Sequence, residues 1–172
     1  MIPMISIVGF SNSGKTTLLE KIILELKSLD YRVGVIKHNH CSFNIDHEGK
    51  DTYRHAKAGA DTVIIASSTK VATVKKVQVE PSLDEIAAGI TDVDIIFTEG
   101  YKRGNKPKIE VFRKELNRDE LFCCEEELLA VASNHEFNIN VPCYHIDDIR
   151  GLTTLIIDKY LRPQNKHNLR IV

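Results

Sequence analysis

The sequence lacks several features that mark whole classes of protein. It has no run of about 18 apolar residues, so we predict no membrane-spanning helix. The N-terminus leads directly into an apolar strand, and we expect no signal peptide. The four cysteines, at positions 41, 123, 124 and 143, show no C-x-x-C spacing. We therefore expect reduced thiols and a cytoplasmic protein.

The sequence also lacks a strong charge of either sign. It carries 23 basic and 24 acidic residues, for a net charge of −1. Proteins that bind nucleic acids or membrane surfaces usually have a marked basic excess, so we expect neither partner. With 172 residues, the chain is long enough for one domain. We predict that domain over residues 1–162, with hairpin excursions at 69–79 and 101–116, followed by a tail at 163–172.

Short apolar segments alternate with amphipathic ones along the chain, which predicts an α/β fold with a mostly parallel sheet flanked by helices. Residues 71–79 alternate between apolar and polar positions, and with the preceding strand they predict an antiparallel hairpin extension at a sheet edge. The predicted strands cover residues 4–8, 31–37, 62–66, 71–79, 94–98, 108–112, 127–132 and 141–146. Four helices are predicted. The first follows residue 16, the second covers 50–58, the third begins at Pro81 with a Ser82/Glu85 capping box, and the fourth covers 148–161.

Residues 9–16 match the phosphate-binding pattern G-x-x-x-x-G-K-[ST], between an apolar strand and an amphipathic helix. In such a loop, backbone N–H groups and the positive end of the helix bind a phosphate chain. We predict that Lys15 reaches the β- and γ-phosphates and that the Thr16 hydroxyl binds Mg²⁺. The predicted nucleotide contacts in this region are Gly9, Ser11, Asn12, Ser13, Gly14, Lys15, Thr16 and Thr17.

Two acidic residues are candidates for holding the metal or orienting the attacking water. Glu99 follows a buried strand, where a carboxylate can orient Mg²⁺ directly or through a water molecule. Asp46 lies in a polar loop that can fold over the γ-phosphate, although it also fits a plain loop residue. Asp94, at the opposite end of the Glu99 strand, is predicted to be structural. We predict Lys15, Asp46 and Glu99 as the catalytic residues, with Thr16, Asp46 and Glu99 at the metal.

Two further groups of residues leave alternatives open. A cluster of histidines and a cysteine suggests a transition-metal site, but its spacing matches no standard zinc pattern; its members are His38, His40, Cys41 and His47. A basic loop fits either a second anionic ligand or an exposed hairpin tip; its members are Lys102, Arg103, Lys106 and Lys108.

Several motifs together resemble the family of molybdopterin-guanine dinucleotide biosynthesis protein B, MobB. The resemblance runs over about residues 3–160 and rests most on the blocks at 46–54 and 98–111. The first block reads Asp-His-Glu-Gly-Lys-Asp-Thr-Tyr-Arg. The second contains Thr-Glu-Gly-Tyr-Lys and, after a short gap, Pro-Lys-Ile-Glu-Val.

The resemblance implies a GTP-binding protein with weak intrinsic hydrolysis. It implies a role beside the guanylyltransferase MobA, which joins GMP to molybdopterin, so molybdopterin is a further candidate ligand. It also implies a homodimer. The guanine contact would come from Ser133 and Asn134, at a position where the resemblance implies an acidic residue. A carboxylate can accept both guanine N1–H and N2–H, whereas an amide accepts one hydrogen bond and donates another.

Other functions remain open at the level of sequence. A phosphate-loop small-molecule kinase would need an arginine-bearing lid, for which Arg113 and Arg118 are candidates. A metallochaperone-type GTPase and an adapter with incidental hydrolysis share the same loop. The enzyme class is therefore left open, with a weak GTPase favoured.

Overall fold

A computed structural model describes residues 1–39, 41–116 and 120–162 of the chain. Strands and helices alternate along it as the sequence predicts. The strands are β1 (Met4–Val8), β2 (Val33–Lys37), β3 (Thr62–Ala66), β4 (Val71–Lys75), β5 (Ile95–Glu99), β6 (Lys108–Phe112), β7 (Leu128–Ser133) and β8 (Cys143–His145). The α-helices are α1 (Lys15–Ser28), α2 (Asp51–Lys57), α3 (Leu83–Ala88) and α4 (Ile149–Ile156), and α4 continues into a π-helical turn at Ile157–Leu161.

Six strands form one sheet in the order β2-β5-β1-β6-β7-β8, and every pair in it is parallel. The prediction of a mostly parallel sheet is therefore confirmed. The prediction of a hairpin at 101–116 is wrong, because β6 lies in this sheet between β1 and β7. Residues 100–107 instead connect the carboxyl end of β5 to the amino end of β6. The predicted tail at 163–172 lies outside the described residues.

One face of this sheet carries the hydrophobic core. Alternate residues of β1, β5 and β6, such as Ile5, Phe97 and Ile109, are fully buried on this face. They pack with one side of α1, where Leu18, Leu19, Ile22 and Leu26 are buried, and with Leu152 and Ile156 of α4. This apolar face fixes where α1 begins, and therefore where the Gly9–Thr16 loop lies.

The opposite face of the sheet is also buried, and polar side chains lie on it among apolar ones such as Val8, Ile96 and Phe112. Thr98 donates a hydrogen bond from its Oγ1 to Ser6 Oγ at 2.8 Å. Lys108 is fully buried, and its Nζ lies 2.6 Å from Glu127 Oε1. Buried Glu110 accepts hydrogen bonds from the backbone N–H groups of Phe122 and Cys123, at 2.7 and 2.9 Å. Polar side chains thus attach the segment around Phe122 to this face.

Residues 39–86 form a second compact unit, separate from the unit formed by Met1–His38 and the chain from Ala87 onward. Within the described part of the chain, strands β3 and β4 of this unit pair only with each other, in antiparallel register from Thr62↔Lys75 to Ala66↔Val71. The predicted hairpin is confirmed, but it ends at Lys75 and forms a sheet of its own. The predicted capping box is also present, with Ser82 Oγ 2.7 Å from Glu85 Oε2 and Glu85 N 3.2 Å from Ser82 Oγ.

Candidate functional site

The Gly9–Thr16 loop turns sharply because three of its residues adopt positive φ angles: Gly9 at 137°, Asn12 at 63° and Gly14 at 93°. Glycine adopts such angles without strain, and asparagine tolerates them better than most residues. Gly9 is also pressed against β6, so that a Cβ atom there would overlap the Val111 carbonyl oxygen. The loop ends directly in the first turn of α1, so its backbone N–H groups and the helix N-terminus lie together.

Most of the predicted nucleotide contacts line one open depression of about 480 Å³. The fold brings together residues of the loop, the first turn of α1 and the end of β5. The depression is lined by Ser11, Asn12, Gly14, Lys15, Thr16, Thr17 and Glu99. Gly9 and buried Ser13 support the loop from behind.

Lys15 is held inside its own loop. Its Nζ donates a hydrogen bond to the Phe10 carbonyl oxygen at 2.6 Å. Partial burial lowers the pKa of Lys15 from its ordinary value, and the neighbouring cation Lys102 lowers it further. The carboxylate of Glu99 acts in the opposite direction on the same pKa. A phosphate group would therefore give this lysine a better partner than the uncharged carbonyl.

Glu99 and Thr16, predicted from separate motifs to hold the same ion, are in direct contact. The Thr16 hydroxyl lies 3.0 and 3.1 Å from the two carboxylate oxygens of Glu99. Lys37, at the end of β2, places its Nζ 3.3 Å from Glu99 Oε1. Parallel pairing produces this cluster, because β1, β2 and β5 all end at the same edge of the sheet. Hydroxyl and carboxylate oxygens are hard donors that suit Mg²⁺.

Asp46 belongs to the second unit. There its Oδ1 accepts a hydrogen bond from the backbone N–H of His47 at 2.9 Å. It also lines an apolar depression beside the hairpin, with Ile65 and Val74. Its role at the metal stays a prediction. Asp94 is structural as expected, because its Oδ2 accepts a hydrogen bond from the Arg32 N–H at 2.7 Å.

The predicted basic loop does not form one patch. Lys108 is buried and paired with Glu127, and Lys106 lines a cleft at the amino end of β6. Lys102 instead lies over two aromatic rings, 5.6 Å from the ring centre of Phe10 and 4.9 Å from that of Phe122. Sequence reasoning missed this cluster, because nothing in the local pattern brings residue 122 to the phosphate loop.

The carboxyl end of β6 adds a further cation beside the loop. Arg113 Nε donates a hydrogen bond to the Ser13 carbonyl oxygen at 3.2 Å. Its guanidinium occupies the space next to Gly14, where a Cβ atom would lie 3.4 Å from Nε. The rule that pointed to Glu99, a polar residue directly after a parallel strand, also applies to Arg113. The other proposed lid residue, Arg118, lies outside the described residues.

The predicted base contact, Ser133 and Asn134, lies at the end of β7. Asn134 uses both ends of its amide: Oδ1 accepts from the Lys114 N–H at 3.2 Å, and Nδ2 donates to Glu115 Oε1 at 2.5 Å. Ser133 Oγ accepts from the backbone N–H of His135 at 2.8 Å. Glu115 was not predicted from the sequence, because only the contact with Asn134 distinguishes it from an ordinary loop residue.

The proposed histidine and cysteine cluster gains no support from the geometry. Within residues 1–39, 41–116 and 120–162, no group of three or more His, Cys, Asp or Glu side chains is arranged to hold a metal ion. His38 stacks on Tyr101, with ring centres 4.7 Å apart. His40 lies outside the described residues.

A parallel sheet with a glycine loop leading into a helix, and an acidic residue at the end of the adjacent strand, defines the phosphate-loop class of α/β proteins. The family model for molybdopterin guanine dinucleotide synthesis protein B matches residues 4–134. The chain belongs to this family, MobB.

Curated relatives extend this match over nearly the whole chain. A molybdopterin-guanine dinucleotide biosynthesis adapter protein of Haemophilus influenzae is 39% identical, over 90% of this chain and 88% of the relative. The Escherichia coli protein of the same name is 35% identical, over 96% and 97% of the two chains.

Solved structures support the fold. A crystal structure of molybdopterin-guanine biosynthesis protein B superposes with a TM-score of 0.70 at 27% identity, covering 90% of this chain and 97% of that one. Bacillus subtilis MobB also gives a TM-score of 0.70, at 24% identity. Among the described residues, every helix is too short or too polar to cross a membrane.

Proposed function

We propose that the chain is a GTP-binding adapter in the synthesis of molybdopterin guanine dinucleotide, with a weak GTPase activity. The contact between Thr16 and Glu99, at 3.0 Å beside Lys15, is the observation that carries the proposal. A hydroxyl, a carboxylate and a lysine thus lie together at the N-terminus of α1. Binding of a triphosphate with its metal ion requires these three groups. The names of the relatives support the pathway.

In this proposal, Lys15 leaves the Phe10 carbonyl and binds the β- and γ-phosphates. The N–H groups of the loop and of the first turn of α1 bind the same phosphates. Thr16 and Glu99 would hold Mg²⁺, directly or through water, with Asp46 as a second candidate acid; the ion would neutralise charge on the phosphates. Phosphate oxygens would supply further ligands to the ion, because few other oxygen donors among the described residues line this depression.

Hydrolysis requires water to attack the γ-phosphorus while the bond to the β–γ bridging oxygen breaks, giving GDP and phosphate. Glu99 is already engaged by Thr16 and Lys37. A carboxylate whose oxygens already hold these partners is poorly placed to take a proton from the attacking water, which suits a slow reaction.

Calorimetry with GTP and Mg²⁺ tests nucleotide binding. We expect Lys15→Ala to remove most of the affinity, because each charge-assisted bond to phosphate contributes about 1.5–3 kcal/mol. Lys27→Ala, on the exposed side of α1, is the matched control and should bind normally. Equal binding by the parental protein and Lys15→Ala would refute the phosphate site.

Phosphate release tests the metal assignment. Glu99→Gln should lower the rate of hydrolysis more than the affinity, since it removes a metal-orienting charge but keeps the shape of the side chain. Asp46→Asn should slow hydrolysis if Asp46 orients the water. Parental rates in both variants would overturn the assignment.

If the protein were instead a small-molecule kinase, its reaction would give a different product. A kinase transfers the γ-phosphoryl group to an acceptor, so phosphate release would fall and a phosphorylated acceptor would appear when the right acceptor is added. Arg113 is bonded to the loop through Ser13, which fits a fixed support better than a mobile lid. Labelled GTP with and without candidate acceptors separates the two functions.

We also propose a homodimer and an interaction with the guanylyltransferase MobA. The hairpin exposes large apolar side chains on both faces, which favours a covering surface; they are Ile64, Ile65, Val71 and Val74. Light scattering should show a dimer, and deletion of residues 69–79 should give a monomer or an insoluble chain. Addition of the protein to the transferase, with molybdopterin, should stimulate formation of the guanine dinucleotide; no stimulation would refute the partner.

A further inference from the structure

Guanine poses a recognition problem that Asn134 cannot solve. The base presents two adjacent donors, N1–H and N2–H, and one carboxylate can accept both. The amide of Asn134 has a single acceptor, and this oxygen already accepts a hydrogen bond from the Lys114 N–H. The amide nitrogen donates to Glu115. Asn134 therefore has no acceptor pair of its own to offer a guanine base.

The same contact places a carboxylate at this point. Asn134 Nδ2 lies 2.5 Å from Glu115 Oε1. Glu115 follows β6 and Asn134 follows β7, two neighbouring parallel strands whose carboxyl ends meet at one edge of the sheet. The hydrogen bond fixes the carboxylate against the end of β7, where the sequence predicted the base contact.

The strand order sets the direction of the nucleotide. Glu99 and Thr16 mark the metal end, on the β5 side of β1, whereas β6 and β7 lie on the other side. Arg113, two residues before Glu115, is bonded to the Ser13 carbonyl oxygen and attaches this segment to the loop. A nucleotide with its γ-phosphate near Glu99 would therefore extend its base toward β6 and β7.

We propose that Glu115, positioned by Asn134, is the carboxylate that reads guanine, accepting hydrogen bonds from N1–H and N2–H. The inference rests on the proposed function, since it presupposes that the loop binds a nucleotide. An ionised carboxylate has about four acceptor positions, so the bond from Asn134 leaves room for both donors of the base. Adenine lacks this pair of donors and would be rejected.

Charge supports the same role. The hydrogen bond from Asn134 lowers the pKa of Glu115, and the positive charge of Arg113 lowers it slightly further. The group is thus an acceptor at neutral pH. Asp147 is another carboxylate that interacts electrostatically with Arg113, but its Oδ1 lies 2.9 Å from Lys21 Nζ.

A swap of base specificity tests the proposal. The Glu115→Gln variant offers one acceptor and one donor, which match N1–H and the C2 carbonyl of xanthine. The affinities are measured by calorimetry with Mg²⁺ present. Compared with the parental protein, we expect Glu115→Gln to bind GTP at least tenfold more weakly, XTP more tightly and ATP equally well. The parental protein should bind ITP, which lacks the N2 amino group, more weakly than GTP.

Two further variants separate positioning from direct contact. Asn134→Asp places a second carboxylate against Glu115, so we expect this variant to bind GTP more weakly. If residue 134 contacted the base itself, the new carboxylate would instead make the variant bind GTP more tightly. Asp147→Asn is the matched control and should keep the base preference.

Each other outcome has a distinct meaning. A parental protein that binds no triphosphate refutes both the proposed function and this inference. Triphosphate binding with equal affinity for GTP, ITP and ATP refutes base reading alone. If Glu115→Gln keeps the parental preference for guanine, Glu115 does not read the base. The same conclusion follows if only Asp147→Asn changes that preference.

Discussion

At the scale of single residues, the loop keeps its lysine in an unfavourable electrostatic setting. Lys15 is partly buried, and the cations Lys102 and Lys37 both act against its charge. Its partner in the unliganded loop is a neutral carbonyl. A binding site of this kind gives up stability in the free protein for affinity toward an anion.

This setting predicts a pH-dependent contribution to stability. Because the pKa of Lys15 is lowered by folding, the unfolded chain binds more protons than the folded one between the folded pKa and the ordinary value of 10.5. The free energy of unfolding due to this group therefore rises with pH across that window. Relative to Lys15→Met, the parental protein should gain stability as pH increases from 7 toward 10.5.

Urea midpoints measured at several pH values test this expectation. Lys27→Met, in the exposed part of α1, controls for the loss of one positive charge. Parallel curves for the parental protein and Lys15→Met would contradict the prediction.

At the scale of elements, the loop depends on its close packing against β6. Gly9 combines a φ of 137° with contact to the Val111 carbonyl, so Gly9→Ala adds both backbone strain and a steric overlap. Gly59, with a φ of 117° and open space around it, would suffer the strain alone. We expect Gly59→Ala to cost roughly 1–3 kcal/mol and Gly9→Ala clearly more, measured by urea unfolding. Similar costs would mean that the close approach to β6 is not energetically important.

The buried carboxylate of Glu110, on the face of the sheet opposite the main core, is a second feature at this scale. Glu110 satisfies two backbone N–H groups and holds Phe122 in the segment that contacts Phe10 and Lys102. Glu110→Ala would leave both donors without an acceptor, and we expect a loss of about 2 kcal/mol or more. Glu110→Gln keeps one acceptor oxygen, so its stability should lie between those of the parental protein and Glu110→Ala. The exposed Glu126→Ala should change stability by less than about 0.5 kcal/mol, and an equal loss there would contradict this account.

At the scale of the whole molecule, the two units differ in burial. The strands β1, β5 and β6 are almost wholly buried, whereas β3 and β4 are largely exposed. A two-stranded hairpin without a covered face is marginally stable in water. The second unit therefore resists local opening less than the first, unless another surface covers it.

Amide hydrogen exchange tests this difference together with the proposed dimer. Amides of β1, β5 and β6 should exchange slowly at every protein concentration. Those of β3 and β4 should exchange fast in dilute protein and become protected as the concentration rises, because dimerisation would cover the hairpin. Light scattering gives the concentration range over which the monomer converts to the dimer. If the exchange rates of the hairpin amides do not change over that range, the dimer contact lies elsewhere.

The sequence by itself determined the local elements and the position of the glycine loop between β1 and α1. Hydrophobic periodicity and turn residues are local signals, so the strand–loop–helix unit at residues 4–28, the Ser82/Glu85 capping box and the buried strand before Glu99 all match the structure. The rule that ligands bind beyond the ends of parallel strands was enough to select Glu99 as a neighbour of Thr16.

Tertiary structure alone decided the strand order and the contacts that depend on it. The segment at 101–116 has the alternation and turn residues of a hairpin, yet β6 enters the parallel sheet because its buried face completes the core beside β1. Phe122 contacts Phe10 in a segment that is bonded to Glu110 of β6. Glu115 contacts Asn134 where the neighbouring strands β6 and β7 end. Such contacts join residues 12 to 112 positions apart, and no local pattern encodes them, because their free energy exists only once the sheet has assembled.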